Sequence, residues 1–539
     1  MPKYLIITGG VLSGLGKGIV SSSIAFLLKN QGFKICPIKF DGYLNVDAGT
    51  MNPYEHGEVF VLDDGTECDM DLGNYERFLN MNLRNYNNIT GGKIFRLIIE
   101  KERRGEFLGK TVQMIPHVTN EIKRLIRETG KKENADMVVI EIGGTVGDIE
   151  NSYFIEAMRQ LALEEGKENC FFIHLTLIPA LDVVGEQKTK PTQQSVKLLL
   201  EAGIQPDMII CRCRERLTEK TKEKISLFCN IDKNAVISDH DVSSIYEIPI
   251  LLEEQGTVKR ILEKFHLRYK GRKLGKLKEL LKNLKNPKYE ITIGIAGKYT
   301  TLHDSYVSII EALNHCAMHL ACKINIRWIE TTEIEKGAIS AQEALQGIDG
   351  LIVPGGFGAR GTEGKIKCIE YVRKNKVPFL GLCLGLQLAV VEFARNVCGL
   401  NNANSTEINP KTKYPVIDML PEQKKVKEKG GTMRLGSYPA ILKKGSVVWQ
   451  IYGKKRTISE RHRHRFEVNP RYHKILQSKG LIFSGISPDR RLVEFIEIKD
   501  HPFFVATQAH PEFKSRIERP SPLFFHFVNA CINQRNCKI

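Results

Sequence analysis

Residues 377–392 read V-P-F-L-G-L-C-L-G-L-Q-L-A-V-V-E, and this order of residue types predicts a strand, a tight turn and a helix. A run of β-formers reaches Cys383, glycine stands two positions to either side, and an apolar run of helical character follows. That is the layout of a nucleophile elbow with sulfur in place of the serine oxygen. The glycines clear space beside the nucleophile. The helix N-terminus stabilises a thiolate and aims backbone N–H groups at a developing oxyanion. Far downstream, Q-A-H-P-E supplies His510 and Glu512, an imidazole and a carboxylate to orient it. Cysteine, base and orienting carboxylate describe an acyl-transfer site.

The other end of the chain carries different chemistry. Residues 3–18 read K-Y-L-I-I-T-G-G-V-L-S-G-L-G-K-G, a short apolar strand running into a glycine-rich turn, and residues 19–29 are apolar at helical spacing. Strand, glycine loop with lysine, then helix make a phosphate cradle, with backbone N–H groups around the phosphate oxygens and Lys17 neutralising outer charge. The match to G-x-x-x-x-G-K-[ST] is imperfect. Val11 stands where the first glycine belongs, and Gly18 replaces the hydroxyl residue. Gly18 cannot ligate a metal, so carboxylates elsewhere have to hold it.

Composition bounds the rest. The 539 residues exceed one ordinary core, and 42% hydrophobic with 26% charged residues is a globular balance. The net charge of +17 invites a nucleic-acid reading. Lysines are spread along the chain, however, no base-reading module appears, and the densest cluster, 266–288, reads as a solvated linker helix. Anionic nucleotide substrates explain the balance more simply. The most apolar run, 377–391, is interrupted by Pro378, Gln387 and glycines and is too short to span a bilayer. With no leader in front of the first strand and 13 scattered cysteines, the expectation is a reducing, cytoplasmic compartment with neither membrane nor nucleic-acid partners.

Strand-like runs alternate with helical ones at 4–8, 35–40, 137–142, 171–177 and 208–213, and again at 291–296, 324–328, 350–353, 379–383, 492–498 and 503–507. This predicts an α/β protein of two domains, each a mostly parallel sheet covered by helices. The first spans 1–266, a linker 267–289, and the second 290–539. No internal repeat is visible, and the polar stretch 401–429 is expected to be a surface loop.

The motifs G-G-V-L-S-G-L-G-K-G, D-M-D-L-G-N-Y-E-R-F, E-I-G-G-T-V-G-D-I-E, G-E-Q-K-T-K-P-T-Q, P-G-G-F-G, G-L-C-L-G-L-Q, N-S-T-E, G-G-T-M-R-L-G, E-R-H-R-H-R-F-E-V-N and H-P-E follow one another in order. In these the chain resembles the CTP synthase family, from residue 4 to about 527. The second half alone resembles class I glutamine amidotransferases. The resemblance implies a P-loop NTPase-like synthetase domain followed by a flavodoxin-like amidotransferase domain. It implies glutamine hydrolysis at one site, phosphorylation of the 4-oxygen of UTP by ATP at the other, and displacement of that phosphate by ammonia carried through an internal channel. Phosphorylation turns a poor leaving oxygen into a good one, and passage through the protein keeps ammonia from becoming ammonium.

The same resemblance assigns residues. Magnesium goes to Asp71 and Glu141; the latter also ends the apolar run M-V-V-I-E, where a doubly wound sheet presents side chains to ligand. ATP goes to Gly14, Leu15, Gly16, Lys17, Gly18 and Ile19, to Asp71, and to His240, Asp241 and Val242. Lys39 helps to neutralise the transferring phosphate. UTP and product CTP go to Ser13, to Asp148, Ile149 and Glu150, to Lys188, Thr189, Lys190, Pro191, Thr192 and Gln193, and to Lys224. Glutamine goes to Gly356, Leu384, Gly385, Leu386, Gln387, Glu407 and Arg465, with Gly356 and the backbone at Leu384 as oxyanion hole. The strand alternation puts Arg461, Arg463 and Arg465 on one face and His462 and His464 on the other, where the histidines read as surface or packing residues. GTP as activator, CTP as feedback inhibitor and a homodimer assembling to a homotetramer, with filaments, are further implications. Two other readings remain open: a catalytically idle filament-forming scaffold, and a P-loop amidase of cobyrinic-acid type acting on a carboxylate.

Overall fold

The computed structural model describes residues 2–52, 57–181, 186–298, 303–419 and 433–537. Within them the chain divides into two compact units. The first comprises Met1–Ala48 and Asp71–Leu277, the second Gly49–Met70 and Lys278–Ile539. The segment Gly49–Met70, counted with the first domain on sequence, thus packs with the second.

The first unit is built on seven strands: β1 Lys3–Gly9, β2 Ile35–Asp41, β3 Asn88–Thr90, β4 Met137–Ile142, β5 Cys170–Ile178, β6 Met208–Cys213 and β7 Val236–His240. They lie in the order β7-β6-β5-β1-β4-β2-β3, and every pairing is parallel. All residues of β2 and β4 are buried, as near-continuous apolar strands under helices on both faces require. The register sets Ile7 and Lys39 on either side of Glu141. The carboxyl ends of β1, β2 and β4 therefore gather the phosphate loop, a lysine and a carboxylate at the middle of the sheet.

The second unit holds a nine-stranded sheet: β8 Tyr289–Gly297, β9 Cys322–Glu330, β10 Gly350–Val353, β11 Phe379–Leu382, β12 Arg434–Leu442, β13 Thr457–His464, β14 Leu481–Ile486, β15 Val493–Ile498 and β16 Phe504–Thr507. Their order is β9-β8-β10-β11-β16-β15-β14-β12-β13. The first five are parallel in the flavodoxin-like 2-1-3-4-5 arrangement. The other four continue antiparallel, so this sheet is mixed where a mostly parallel one was expected. Helix Leu384–Asn396 packs into one core through Leu386, Val390 and Phe393. Helices Val307–Leu320 and Pro522–Asn536 enter another through Leu313, Phe524 and Phe527. The stretch expected as a loop at 401–429 contains strands Asn404–Ser405 and Pro415–Met419, which join Phe466–Val468 in a small sheet; residues 420–429 lie outside the described residues, as does the start of G-G-T-M-R-L-G. No helix among the described residues is long and apolar enough to cross a membrane.

Candidate active sites

In the first unit, β1 ends at Gly9 and helix Lys17–Asn30 begins at Lys17, with left-handed backbone at Gly14 and Gly16 (φ 77° and 88°). Ser13 and Gly14 are exposed at the mouth of the loop, whereas Leu15, Lys17 and Gly18 are buried and Ile19 is half-buried. The Lys17 ammonium donates to Gly144 O at 2.7 Å, which ties the turn after β4 to the phosphate loop. Burial lowers the Lys17 pKa, opposed by Glu141 and reinforced by Lys39. A Cβ on Gly18 would lie 2.1 Å from Asp71 Oδ1, so the carboxylate fills the space a side chain at this position normally takes. The missing hydroxyl and the nearby carboxylate are one arrangement.

Lys39 Nζ sits 2.9 Å from Asp71 Oδ2, 2.9 Å from Asp41 Oδ1 and 3.8 Å from Glu141 Oε1. Tyr75 donates to Glu141 Oε2 at 2.8 Å, while Glu141 Oε1 is buried with no hydrogen-bond partner among the described residues. Burial works to raise both acids. At Asp71 the charge and hydrogen bond of Lys39 outweigh it and hold the pKa low. At Glu141 burial and the neighbouring Asp71 win, and the pKa is pushed up to about 8. Two carboxylates that raise each other's cost of ionising, one with an oxygen that no hydrogen bond occupies among the described residues, fit a hard divalent cation completed by phosphate oxygens and water.

The residues that the resemblance assigns to the pyrimidine nucleotide and to the adenine end of ATP lie on turns and helices that follow strands of this sheet and at the end of β7. Asp148, Ile149 and Glu150 lie on an exposed turn, where Asp148 Oδ2 accepts Thr145 N–H at 2.9 Å. Lys190, Pro191, Thr192 and Gln193 open helix Lys190–Glu201; Thr192 Oγ1 bonds Thr176 Oγ1 at 2.8 Å and Gln193 Nε2 donates to Thr189 at 3.0 Å. Lys188 pairs with Glu186 at 2.5 Å. Thr189 and Lys224 share a basin of about 390 Å³ with Arg214, Arg216 and Lys220. His240 ends β7, Asp241 pairs with Arg212 at 2.5 Å, and Val242 is half-buried beyond them.

In the second unit β11 stops at Leu382, and Cys383 caps helix Leu384–Asn396 with φ 52° and ψ −103°. A non-glycine residue there is strained. Cys383 N donates to Thr507 O at 2.8 Å, which holds the elbow against β16. A Cβ on Gly385 would come within 2.1 Å of Val353 O, so the helix can approach β10 only with glycine there. His510 Nδ1 bonds Glu512 Oε1 at 2.7 Å. Burial alone would lower the imidazole, but Glu512 and then Cys383 outweigh it and raise its pKa to about 10.

Cys383, His510, Glu512, Gly355, Gly356 and Phe357 line a cavity of about 210 Å³. Leu384, as the first residue of its helix, has an N–H with no helical acceptor. Leu386 is wholly buried in the core. Gln387 directs its amide to Phe466 O at 3.0 Å and Gln508 Oε1 at 3.4 Å. Glu407 accepts Gly358 N–H at 2.9 Å, and burial raises its pKa. Arg465 is half-buried just past β13.

Several neighbours escape a reading of motifs. Gln508 Nε2 reaches Cys383 Sγ at 3.7 Å, and its place inside Q-A-H-P-E was the one available signal. Lys365, almost fully buried, lines the cysteine cavity together with Lys298 and Arg463, and burial lowers its pKa to about 8. Glu58 and Val59 form part of the same wall, although they lie more than 300 residues away in sequence. Arg461 pairs with Asp63 at 2.6 Å and Arg463 with Glu67 at 2.7 Å, clamping that segment.

Residues 3–267 match the family model described as the CTP synthase N-terminus, and residues 301–530 match glutamine amidotransferase class I. The CTP synthase of Caldanaerobacter subterraneus subsp. tengcongensis is 53% identical over 533 residues, covering 99% of each chain. That of Methanocaldococcus jannaschii is 54% identical over 538 residues, again covering 99% of each. The Bacillus subtilis enzyme is 51% identical over 538 residues and covers 100% of both chains. With a phosphate-loop unit and a cysteine–histidine–glutamate unit in one chain, and relatives alike from end to end, this chain belongs to the CTP synthase family.

Proposed function

We infer that the chain aminates UTP to CTP: UTP, ATP, glutamine and water become CTP, ADP, phosphate and glutamate. The observation that carries this is the coexistence of two built sites, a Lys17–Lys39–Asp71–Glu141 cluster on a phosphate loop and a strained Cys383 beside a Glu512-held imidazole. At the second, the Cys383 thiolate attacks the side-chain amide carbon of glutamine, and the N–H groups of Gly356 and Leu384 receive the oxyanion. His510, kept protonated by Glu512, delivers a proton to departing ammonia. Water then cleaves the thioester to glutamate. Gln387, Glu407 and Arg465 hold the amino-acid end of the substrate, and Gly385 and Leu386 shape the turn beside it.

At the first site the backbone at 14–19 and Lys17 hold ATP, with His240, Asp241 and Val242 toward its base. Lys39 neutralises the phosphoryl group in transit to the 4-oxygen of UTP. Asp71 and Glu141 would hold magnesium, which supplies positive charge to the polyphosphate oxygens. Ser13, residues 148–150 and 188–193, and Lys224 take the pyrimidine nucleotide. GTP activation, CTP feedback, and a homodimer that pairs into a tetramer and extends into filaments, within the cytoplasm, complete the reading. The division of labour is a synthetase domain at 1–266, a linker at 267–289 and an amidotransferase domain at 290–539, with Gly49–Met70 packed on the latter.

The test is spectrophotometric conversion of UTP with ATP and either glutamine or ammonia. Cys383→Ala should abolish the glutamine-dependent rate and spare the ammonia-dependent one. Lys17→Ala should abolish both. Loss of both rates in a folded Cys383→Ala protein would overturn the two-site reading.

A further inference from the structure

The two histidines of R-H-R-H-R are neither surface residues nor simple packing. His462 and His464 are fully buried on the face of β13 opposite Arg461 and Arg463. His464 Nδ1 meets Phe466 O at 3.2 Å, His462 Nδ1 meets His464 Nε2 at 3.0 Å, and His462 Nε2 faces Glu494 Oε2 at 3.5 Å. Arg434 closes the cluster, donating to Glu494 Oε1 at 2.6 Å and to Glu467 Oε1 at 3.1 Å.

The backbone around this cluster holds the glutaminase residues. Arg461 O accepts His510 N–H at 2.7 Å, and Arg463 O lies 3.8 Å from Cys383 Sγ. Phe466 O accepts from Gln387, and Glu494 O accepts Gln508 N–H at 2.9 Å.

Hydrogen bonding fixes the protons in sequence. A carbonyl only accepts, so His464 carries its proton on Nδ1 and offers Nε2 as acceptor. His462 then donates from Nδ1, and its Nε2 lone pair points at Glu494 Oε2. Glu494 Oε2 is buried and makes no hydrogen bond among the described residues, so this approach is one of proximity. Burial disfavours charge on all four groups: it pulls both imidazoles well below their ordinary pKa, raises Glu494, and raises Glu467 to about 8. Arg434 is the cation that both carboxyl groups face.

We propose that Arg434, Glu467, Glu494, His462 and His464 form a buried polar network that positions the cysteine–histidine site. These are positioning residues, and the proposal rests on Cys383 and His510 being the glutaminase pair. Cys383→Ala tests that premise separately.

The experiment compares full-length variants for glutamine hydrolysis and for ammonia-dependent CTP formation. His464→Phe should lower the glutaminase kcat about 10- to 100-fold, with the KM for glutamine and the ammonia-dependent rate within about 2-fold of the parent. Glu494→Gln removes the carboxyl group that pairs with Arg434 at 2.6 Å and should lose at least about 10-fold in glutaminase kcat. Glu467→Gln leaves the cation unbalanced and should lose at least about 10-fold. A parental glutaminase kcat in His464→Phe would overturn the positioning role. A parental glutaminase kcat in both Glu494→Gln and Glu467→Gln would overturn the network.

Discussion

Replacing Gly18 by alanine places a methyl group where the Asp71 carboxylate lies. The new Cβ would be 2.1 Å from Oδ1 and 2.7 Å from Cγ, against ordinary contact from 3.4 Å, so the carboxylate has to retreat by about 1.3 Å. It is not free to do so, because Oδ2 is held 2.9 Å from Lys39 Nζ, and that ammonium is itself 2.9 Å from Asp41. Misplacing a catalytic group by about 1 Å costs on the order of 100-fold in rate, or about 2.7 kcal/mol of barrier. The packing strain itself costs about 1–3 kcal/mol, offset by up to about 1 kcal/mol from alanine's better helix propensity. The assay is ammonia-dependent CTP formation over a magnesium titration, with the melting temperature as folding control. We expect the rate to fall about 100-fold while basal glutamine hydrolysis, carried out in the other unit, stays within about 3-fold. Gly18→Ser should fail equally, even though it restores the hydroxyl common at this place in phosphate loops. A parental ammonia-dependent rate in either variant, at parental magnesium concentrations, would refute the claim that Asp71 occupies the space glycine vacates.

Two further outcomes follow from the titrating groups. The His510 pKa is raised to about 10, so the stability from its pairing with Glu512 is fully present below the ordinary value of about 6.5 and fades as pH rises through about 10; Glu512→Gln should move the alkaline limb of the glutaminase kcat/KM profile down by about one to two units, and an unmoved limb would contradict the pairing. Burial and Asp71 push the Glu141 pKa up to about 8, so on the proposal that Glu141 ligates magnesium the metal displaces a proton there; calorimetry at pH 7 in buffers of different ionisation enthalpy should show proton release that Glu141→Gln abolishes, and no release in the parent would overturn that proposal.

The glutaminase chemistry was legible because its signals are local. Glycine flanking Cys383 on both sides, an apolar strand before and a helix after, and His510 with Glu512 two positions on are short-range patterns that follow from strand and helix periods. The strands at Met137–Ile142, Met208–Cys213 and Gly350–Val353 could be read to the residue for the same reason. Asn88–Thr90, an edge strand of its sheet, is too short for a period to show, and the polar stretch at 401–429 hid two short strands that pair with each other and, through Pro415–Met419, with Phe466–Val468.

By itself, then, the sequence determined two α/β sheets, a phosphate loop and a cysteine elbow, since each depends on neighbours within about twenty residues. Only the tertiary structure decided that Asp71 stands in for a side chain at Gly18, that Glu58 and Val59 wall the cysteine cavity, and that His462 and His464 turn inward onto Arg434, Glu467 and Glu494. Each of these is a contact between segments distant in the chain, and whether a polar side chain is solvated or buried is settled by the charge that meets it there, which no local periodicity encodes.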